Sequence, residues 1–236
     1  MRLDMLNKRK IIGIVGNSGS GKSTFISYFK MNEKVGIINY ETIKCNLVEE
    51  QLKYYVLKYK YKLNELESRF NEITKMLNIK SDILKRNIYD LSESELTKVL
   101  IGSVLLYNPE IIIVDELIND LDDINKEKIF KLFIKLKKFF NKTIIIVTSD
   151  IDSVYEFIDD VLLVDNGKVL FYNNKYNVYK NYDVLKSKKI RIPIIMNIIH
   201  DLEEKNVKID NVDSINELIK AIYREMRWLN EKKIFN

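Results

Sequence analysis

Ile11-Ile12-Gly13-Ile14-Val15-Gly16-Asn17-Ser18-Gly19-Ser20-Gly21-Lys22-Ser23-Thr24 is the stretch that decides the fold. Ile11–Val15 is a nearly continuous apolar run, the pattern of a strand buried on both faces. Gly16–Ser23 then fits the spacing G-x-x-x-x-G-K-[ST], and a helix is expected to follow Lys22. Glycines let successive backbone N–H groups curl around an oxyanion, and the N-terminus of the helix adds a partial positive charge. A Gly-rich turn without a ligand is the plain alternative, and the strand before and helix after argue against it. Gly16, Asn17, Ser18, Gly19, Ser20, Gly21, Lys22, Ser23 and Thr24 are therefore the candidate nucleotide-binding residues. Lys22 is expected to reach the β- and γ-phosphates, and the Ser23 hydroxyl to ligate Mg²⁺.

Working outward, Ile111-Ile112-Ile113-Val114-Asp115-Glu116 is a second apolar strand, ending in two adjacent carboxylates. Ligands of open α/β sheets bind at the carboxyl edge, where these two acids fall. Asp115 suits Mg²⁺ held through water, and Glu116 suits activation of an attacking water. Lys34–Ile38, Thr143–Val147 and Val161–Val164 read as further strands. Asp165-Asn166-Gly167 is a turn leading to Lys168–Phe171, because Asn-Gly supplies positive φ angles. Helices are expected after Lys22, in pieces over Thr42–Leu77, and after Ser92, Ile124 and Ile151. Leu63, Leu66, Phe70, Ile73 and Leu77 alternate spacings of three and four, which marks an amphipathic helix. After Tyr182 the alternation stops, leaving two amphipathic helices near Pro193–Glu204 and Asp213–Asn230, with Pro193 suited to a first helical turn. The expected class is α/β: a mostly parallel sheet flanked by helices, with a helical tail.

A chain of 236 residues can bury a real core, and 46% hydrophobic with 31% charged residues is a globular composition. Two prolines and seven glycines leave little material for flexible linkers. The formal charge of +5 suits an anionic ligand or surface, but acids are nearly as numerous as bases throughout. Cys45 is the single cysteine and His200 the single histidine, which excludes an internal disulfide framework and a zinc site of Cys and His ligands. Met1–Lys10 is polar and basic rather than signal-like, and no apolar run approaches the roughly 20 residues that span a bilayer. A cytoplasmic setting is expected, with any membrane association made through a partner.

The spacing of these motifs, and the text between them, resembles an ABC-type ATPase, and most specifically the energy-coupling factor (ECF) transporter ATPases. Leu91-Ser92-Glu93-Ser94-Glu95 stands where that family has its signature, written LSGGQ. Val99–Glu110 runs through Gly102 into the Asp-Glu strand as the family's signature helix does. Leu121-Asp122 matches the D-loop, and Thr143–Asp150 resembles the strand leading to the switch loop. Residues 192–224 resemble the C-terminal helices that help hold the ECF ATPase dimer. The resemblance implies a P-loop ATPase domain over residues 1–182, with a helical subdomain near 42–107 and a tail over 183–236. It implies ATP and Mg²⁺ as cofactors, catalytic roles for Lys22 and Glu116, and metal binding at Ser23 and Asp115. It also implies a second ATPase subunit or a second copy as partner, so that ATP lies between one P-loop and the other subunit's signature residues, here Ser92, Glu93, Ser94 and Glu95. An integral-membrane subunit is the other implied partner, holding the chain at the inner face of the membrane.

The departures from that pattern carry their own expectations. Ten residues precede Ile11, and Phe25–Glu33 leads straight to the next strand, so the family's antiparallel subdomain, with its adenine-stacking aromatic, is expected to be reduced or absent. Tyr40 stands where the Q-loop glutamine would follow the strand, and the sole glutamine, Gln51, lies downstream. Ser149 replaces the switch histidine, and loss of a positioned acid–base group costs on the order of 10²–10⁴ in rate. In the signature, a carboxylate about 6 Å from a partner's γ-phosphate is repelled by roughly 3 kcal/mol at an effective dielectric near 20. Locally, Ser92-x-x-Glu95 also reads as a capping box.

Lys53–Lys62 interleaves lysines with tyrosines, a pattern that suits a nucleic-acid backbone, the border of a coupling-helix groove, or simply a solvated amphipathic face. Nucleic acid is not the expected partner. A degenerate, non-transport nucleotide switch is the alternative function. Small-molecule kinases lack the Asp-Glu strand followed by Leu121-Asp122, and a GTPase base reader would need an Asp that Asn125-Lys126-Glu127-Lys128 lacks.

Overall fold

The computed structural model describes residues 9–27, 29, 34–60 and 62–234, the last eight as backbone only. Strands β1 (Ile11–Val15), β2 (Val35–Ile38), β3 (Ile111–Asp115), β4 (Thr143–Thr148), β5 (Asp160–Asp165) and β6 (Lys168–Asn174) alternate with helices. The helices are α1 (Lys22–Ser27), α2 (Val48–Tyr59), α3 (Leu66–Met76), α4 (Ser81–Leu84), α5 (Glu93–Leu106), α6 (Asp123–Phe140), α7 (Lys175–Tyr179), α8 (Tyr182–Ser187), α9 (Ile194–Glu204) and α10 (Ile215–Ile234). The fold is α/β with a mostly parallel sheet, and the chain divides into two compact units. One comprises Met1–Ile12 and Lys22–Thr148, the other Gly13–Gly21 and Ser149–Asn236.

In the first unit β2, β3 and β4 pair in parallel, with Val35 opposite Ile111 and Ile111 opposite Thr143. The Ile144 N–H donates to the Lys10 carbonyl at 2.9 Å, which draws the start of β1 alongside β4. Ile112, Ile113, Val114, Ile144 and Ile145 are fully buried, the outcome their unbroken apolar runs demand when both sheet faces are covered. Burial of each such side chain contributes about 2 kcal/mol. No strand lies between β1 and β2 among the described residues. The helical part is built around α5, whose Val99–Leu106 stretch is buried on all sides against α2 and α3. Lys142, itself buried, donates to the Asn108 side chain (2.5 Å) and the Pro109 carbonyl (2.7 Å), fixing the turn that feeds β3. Burial, and then the Arg69 charge, pulls its pKa below the ordinary lysine value.

In the second unit β5 and β6 form an antiparallel hairpin, turned by Asn166 and Gly167 at φ 48° and 73°. The tail is anchored by Lys175, only 3% exposed, whose ammonium donates to the Tyr155 carbonyl (2.8 Å) and pairs with Asp213 (2.6 Å). The Tyr176 hydroxyl donates to the same carboxylate. These contacts hold the start of the last helix against α7.

Three expectations need correction. Ile151–Phe157 forms successive turns rather than a regular helix, with three-residue bonds (Val154 N–H to Ile151 O) alternating with four-residue ones (Tyr155 N–H to Ile151 O). The Asp152 carboxylate accepts from the Ile194 N–H (2.7 Å) and Arg191 (2.8 Å), so it is held by the tail and leaves its own turn. Leu63 is exposed in a short 3₁₀ turn ahead of α3. Pro193 caps α9 with extended backbone (ψ 141°) and stands one residue before its first turn. His200 stacks on Tyr182 with 3.7 Å between ring centroids, at the edge of the tail's core. The N-terminal residues 1–8 and the side chain of Trp228 lie outside the described residues.

Candidate functional site

The phosphate loop takes its shape within the second unit. The Ser20 N–H donates to the Asn17 carbonyl at 3.0 Å, and Gly19 and Gly21 adopt φ of 77° and 94°. Gly21 passes so close to the β5–β6 turn that a Cβ there would lie 2.8 Å from the Gly167 Cα. The Gly167 N–H donates to the Ser20 carbonyl at 2.7 Å, so the hairpin turn braces the loop from behind. The sequence marked Asn166-Gly167 as a turn and gave no sign of that contact. Gly16 and Ser20 are buried, while Asn17, Ser18 and Gly19 are exposed along the rim. The Ser20 hydroxyl is buried with no hydrogen-bond partner among the described residues, a polar group that an oxyanion would satisfy.

Lys22 opens α1 in the first unit and is only 6% exposed, with Ser23 and Thr24 exposed beside it. Burial lowers the pKa of its ammonium, opposed by the fields of Glu116 and then Asp115. The structure therefore brings the lysine and both predicted acids together. Asp115 ends β3, half-buried, and Glu116 follows it exposed. Glu116 sits at φ 57°, a left-handed conformation uncommon for a residue with a side chain. Its neighbours close a tight turn, the Leu117 N–H donating to the Asp115 carbonyl at 2.8 Å, while its own N–H donates to the Val147 carbonyl at 3.1 Å. Backbone strain of this kind costs on the order of 1–3 kcal/mol and concentrates at functional sites.

Among the other predicted residues, Ser92, Glu95 and Asp122 have structural partners. Ser92 and Glu95 form the capping box: the Ser92 N–H donates to the Glu95 carboxylate (3.0 Å) and the Glu95 N–H to the Ser92 hydroxyl (3.3 Å). The Ser92 N–H is the largest influence holding the Glu95 pKa below the ordinary carboxylate value. Glu93 and Ser94 fill the first turn of the same helix. Asp122 caps α6, accepting from the Asn125 N–H (2.8 Å) and side-chain amide (2.7 Å). Ser149 is exposed at the head of the turns that follow β4. Gln51 is fully buried: it accepts from the Lys44 and Cys45 N–H groups and donates to the Thr42 carbonyl, which fixes the bend before α2. In the Tyr/Lys stretch, Tyr55 is buried and donates to the Thr42 carbonyl, while Lys53 pairs with Glu49 and Glu67.

Mg²⁺ fits this set in one way only. No three His, Cys, Asp or Glu side chains cluster tightly enough for a metal among the described residues. Ser23 and Asp115 suit an ion that keeps several waters and takes its other ligands from phosphate oxygens.

A parallel α/β sheet with a phosphate loop after β1 and an Asp-Glu pair at the end of β3 defines a P-loop nucleotide-binding domain. The ABC transporter family model matches residues 4–119. Motif, fold and family match together make the chain similar to the ABC-type ATPases. Among curated proteins it is similar to the energy-coupling factor transporter ATP-binding protein of Staphylococcus aureus, 24% identical over 94% of this chain and 88% of that protein. It is similar also to the Spiroplasma kunkelii protein of the same description, 27% identical over 90% of this chain and 81% of that one. Among solved structures, cbiO1 of Clostridium perfringens, part of the ABC transporter complex cbiONQ, superposes with a TM-score of 0.65. That match is 24% identical, covers 83% of this chain and 89% of that one, and speaks for the fold.

Proposed function

We propose that this chain is the ATP-binding subunit of an ECF-type transporter, coupling MgATP binding and slow hydrolysis to membrane uptake. The observation that carries the reading is Lys22, buried at the head of α1 within the fields of Asp115 and Glu116. An ammonium so placed meets the β- and γ-phosphates, and the backbone N–H groups of residues 16–21 meet the remaining oxygens. Ser23 and Asp115 would hold Mg²⁺, which when bound would neutralise charge on the transferred phosphate. Glu116 orients and deprotonates the attacking water. Ser149 supplies a hydroxyl but no proton relay, which sets turnover low. The domain is assigned to residues 1–182 and the tail to residues 183–236. On α10 the apolar residues Ile215, Ile219, Tyr223 and Met226 are exposed at helical spacing, which supports a tail that meets another subunit. No described helix is long and apolar enough to cross a membrane, so the integral-membrane component is assigned to a partner.

The closed Ser92–Glu95 box favours a second reading, a nucleotide switch with negligible turnover, because two of the helix-end N–H groups, those of Ser92 and Glu95, are already satisfied within the chain. Co-purification with a second ATPase and an integral-membrane subunit decides between them. Recovery of that complex, with ATPase activity stimulated by assembly, supports the transporter. A chain that binds ATP yet remains alone beside those subunits supports the switch.

A further inference from the structure

The geometry points to Lys189, at the start of the tail, as an additional nucleotide-contacting residue. This rests on the ATP-binding reading above. Residues 186–191, Lys-Ser-Lys-Lys-Ile-Arg, form a basic stretch that ends α8 and opens the link to α9. The Asn17 side-chain amide, at the second position of the phosphate loop, donates to the Lys189 carbonyl at 3.1 Å. The link is clipped on either side of that bond. Lys188 lies 3.7 Å from Asp165, next to the turn that braces Gly21. Arg191 lies 2.8 Å from Asp152 and 3.5 Å from Asp150, beside the switch position Ser149.

Lys188 and Arg191 are thus matched by carboxylates, and Lys189 is not: its ammonium makes no hydrogen bond or ion pair among the described residues. Its backbone is also out of the ordinary. Lys189 has φ 55° and follows the end of α8, where the Ile190 N–H reaches back to the Leu185 carbonyl at 2.9 Å. Glycine is the residue that fills this place in a helix cap without strain. A lysine there keeps an uncompensated cation at the rim of the loop at some conformational cost. With its carbonyl fixed on Asn17 and a flexible stem of roughly 6 Å, the ammonium is within range of a bound polyphosphate. The contact is electrostatic, so it adds affinity that salt weakens.

Lys189→Gly separates the charge from the shape. Glycine keeps the left-handed backbone and the carbonyl that Asn17 grips, and it removes only the ammonium. By calorimetric titration with MgATP, the variant is expected to bind three- to tenfold more weakly than the parent at low salt. That gap narrows at high salt, melting temperature is unchanged or raised, and Lys189→Arg restores affinity. Equal affinity of Lys189→Gly and the parent overturns the inference and leaves the ATP-binding reading standing, whereas a parent that binds no ATP overturns both. Trypsin offers a second measurement on the unaltered chain, since residues 186–191 hold four of its target residues. Saturating MgATP is expected to slow cleavage there several-fold, and cleavage unchanged at saturation overturns the inference.

Discussion

The Tyr40 hydroxyl donates to the Asp120 carboxylate at 2.8 Å. It thereby links the short turn after β2 to the segment between Glu116 and the α6 cap. A glutamine in this place would extend an amide; the tyrosine instead ties the two loops of the first unit to each other. Burial, followed by the Asp120 bond, pushes the Tyr40 pKa up to about 12. Because the folded pKa is raised, the contact stabilises fully below the ordinary tyrosine range and fades as pH climbs through about 12. Tyr40→Phe is expected to cost about 0.5–1 kcal/mol at neutral pH, as for an exposed charge-assisted bond. Denaturant melts at pH 8 and pH 11.5 check this: the gap between parent and variant should shrink at the higher pH.

The loop glycines separate backbone strain from collision. At Gly19 (φ 77°) a Cβ would meet nothing within 4 Å, so Gly19→Ala is expected to cost only the left-handed backbone penalty, about 1–2 kcal/mol. At Gly21 (φ 94°) the same Cβ strikes the Gly167 backbone at 2.8 Å. Gly21→Ala should therefore lower the melting temperature further and weaken ATP binding at least tenfold. Calorimetry of the two variants side by side measures the difference.

Ser92→Ala opens the capping box and is expected to destabilise by about 1 kcal/mol. Glu95 has a lowered pKa, so its share is present above the ordinary carboxylate range and is lost as pH falls through the depressed value. The parent should therefore lose its advantage over Glu95→Gln in acid, as followed by thermal melts from pH 7 to pH 3.

Gln51→Ala leaves the Lys44 and Cys45 N–H groups without their acceptor and opens a hole in a fully buried position. About 2–4 kcal/mol of stability should be lost. ATP affinity, measured below the melting temperature, should not change, because the Gln51 side chain bonds the Thr42, Lys44 and Cys45 backbone and so shapes the bend before α2.

What could be read from sequence follows from how local each signal is. β1 and β3 end where Gly16 and Glu116 say they should, because an unbroken apolar run and a turn residue are both local. The capping role of Ser92 and Glu95 was legible for the same reason. Contacts between distant segments were not: nothing around Asn166-Gly167 announces Gly21, nothing near Tyr40 announces Asp120, and nothing in the tail announces Asn17. The turns at Ile151–Phe157 escaped for a related reason. Their pattern suits a helix, but Asp152 is bonded to the tail at Arg191 and Ile194, 39 and 42 residues away.

The central claim is that Lys22 binds ATP and Glu116 hydrolyses it. Its most direct test is steady-state and single-turnover ATP hydrolysis by the parent, Lys22→Ala and Glu116→Gln, each with its measured MgATP affinity. The account predicts that Glu116→Gln binds as the parent does but turns over on the order of 10²–10⁴ more slowly. Lys22→Ala should lose binding itself. Turnover and affinity unchanged in both variants would contradict the account.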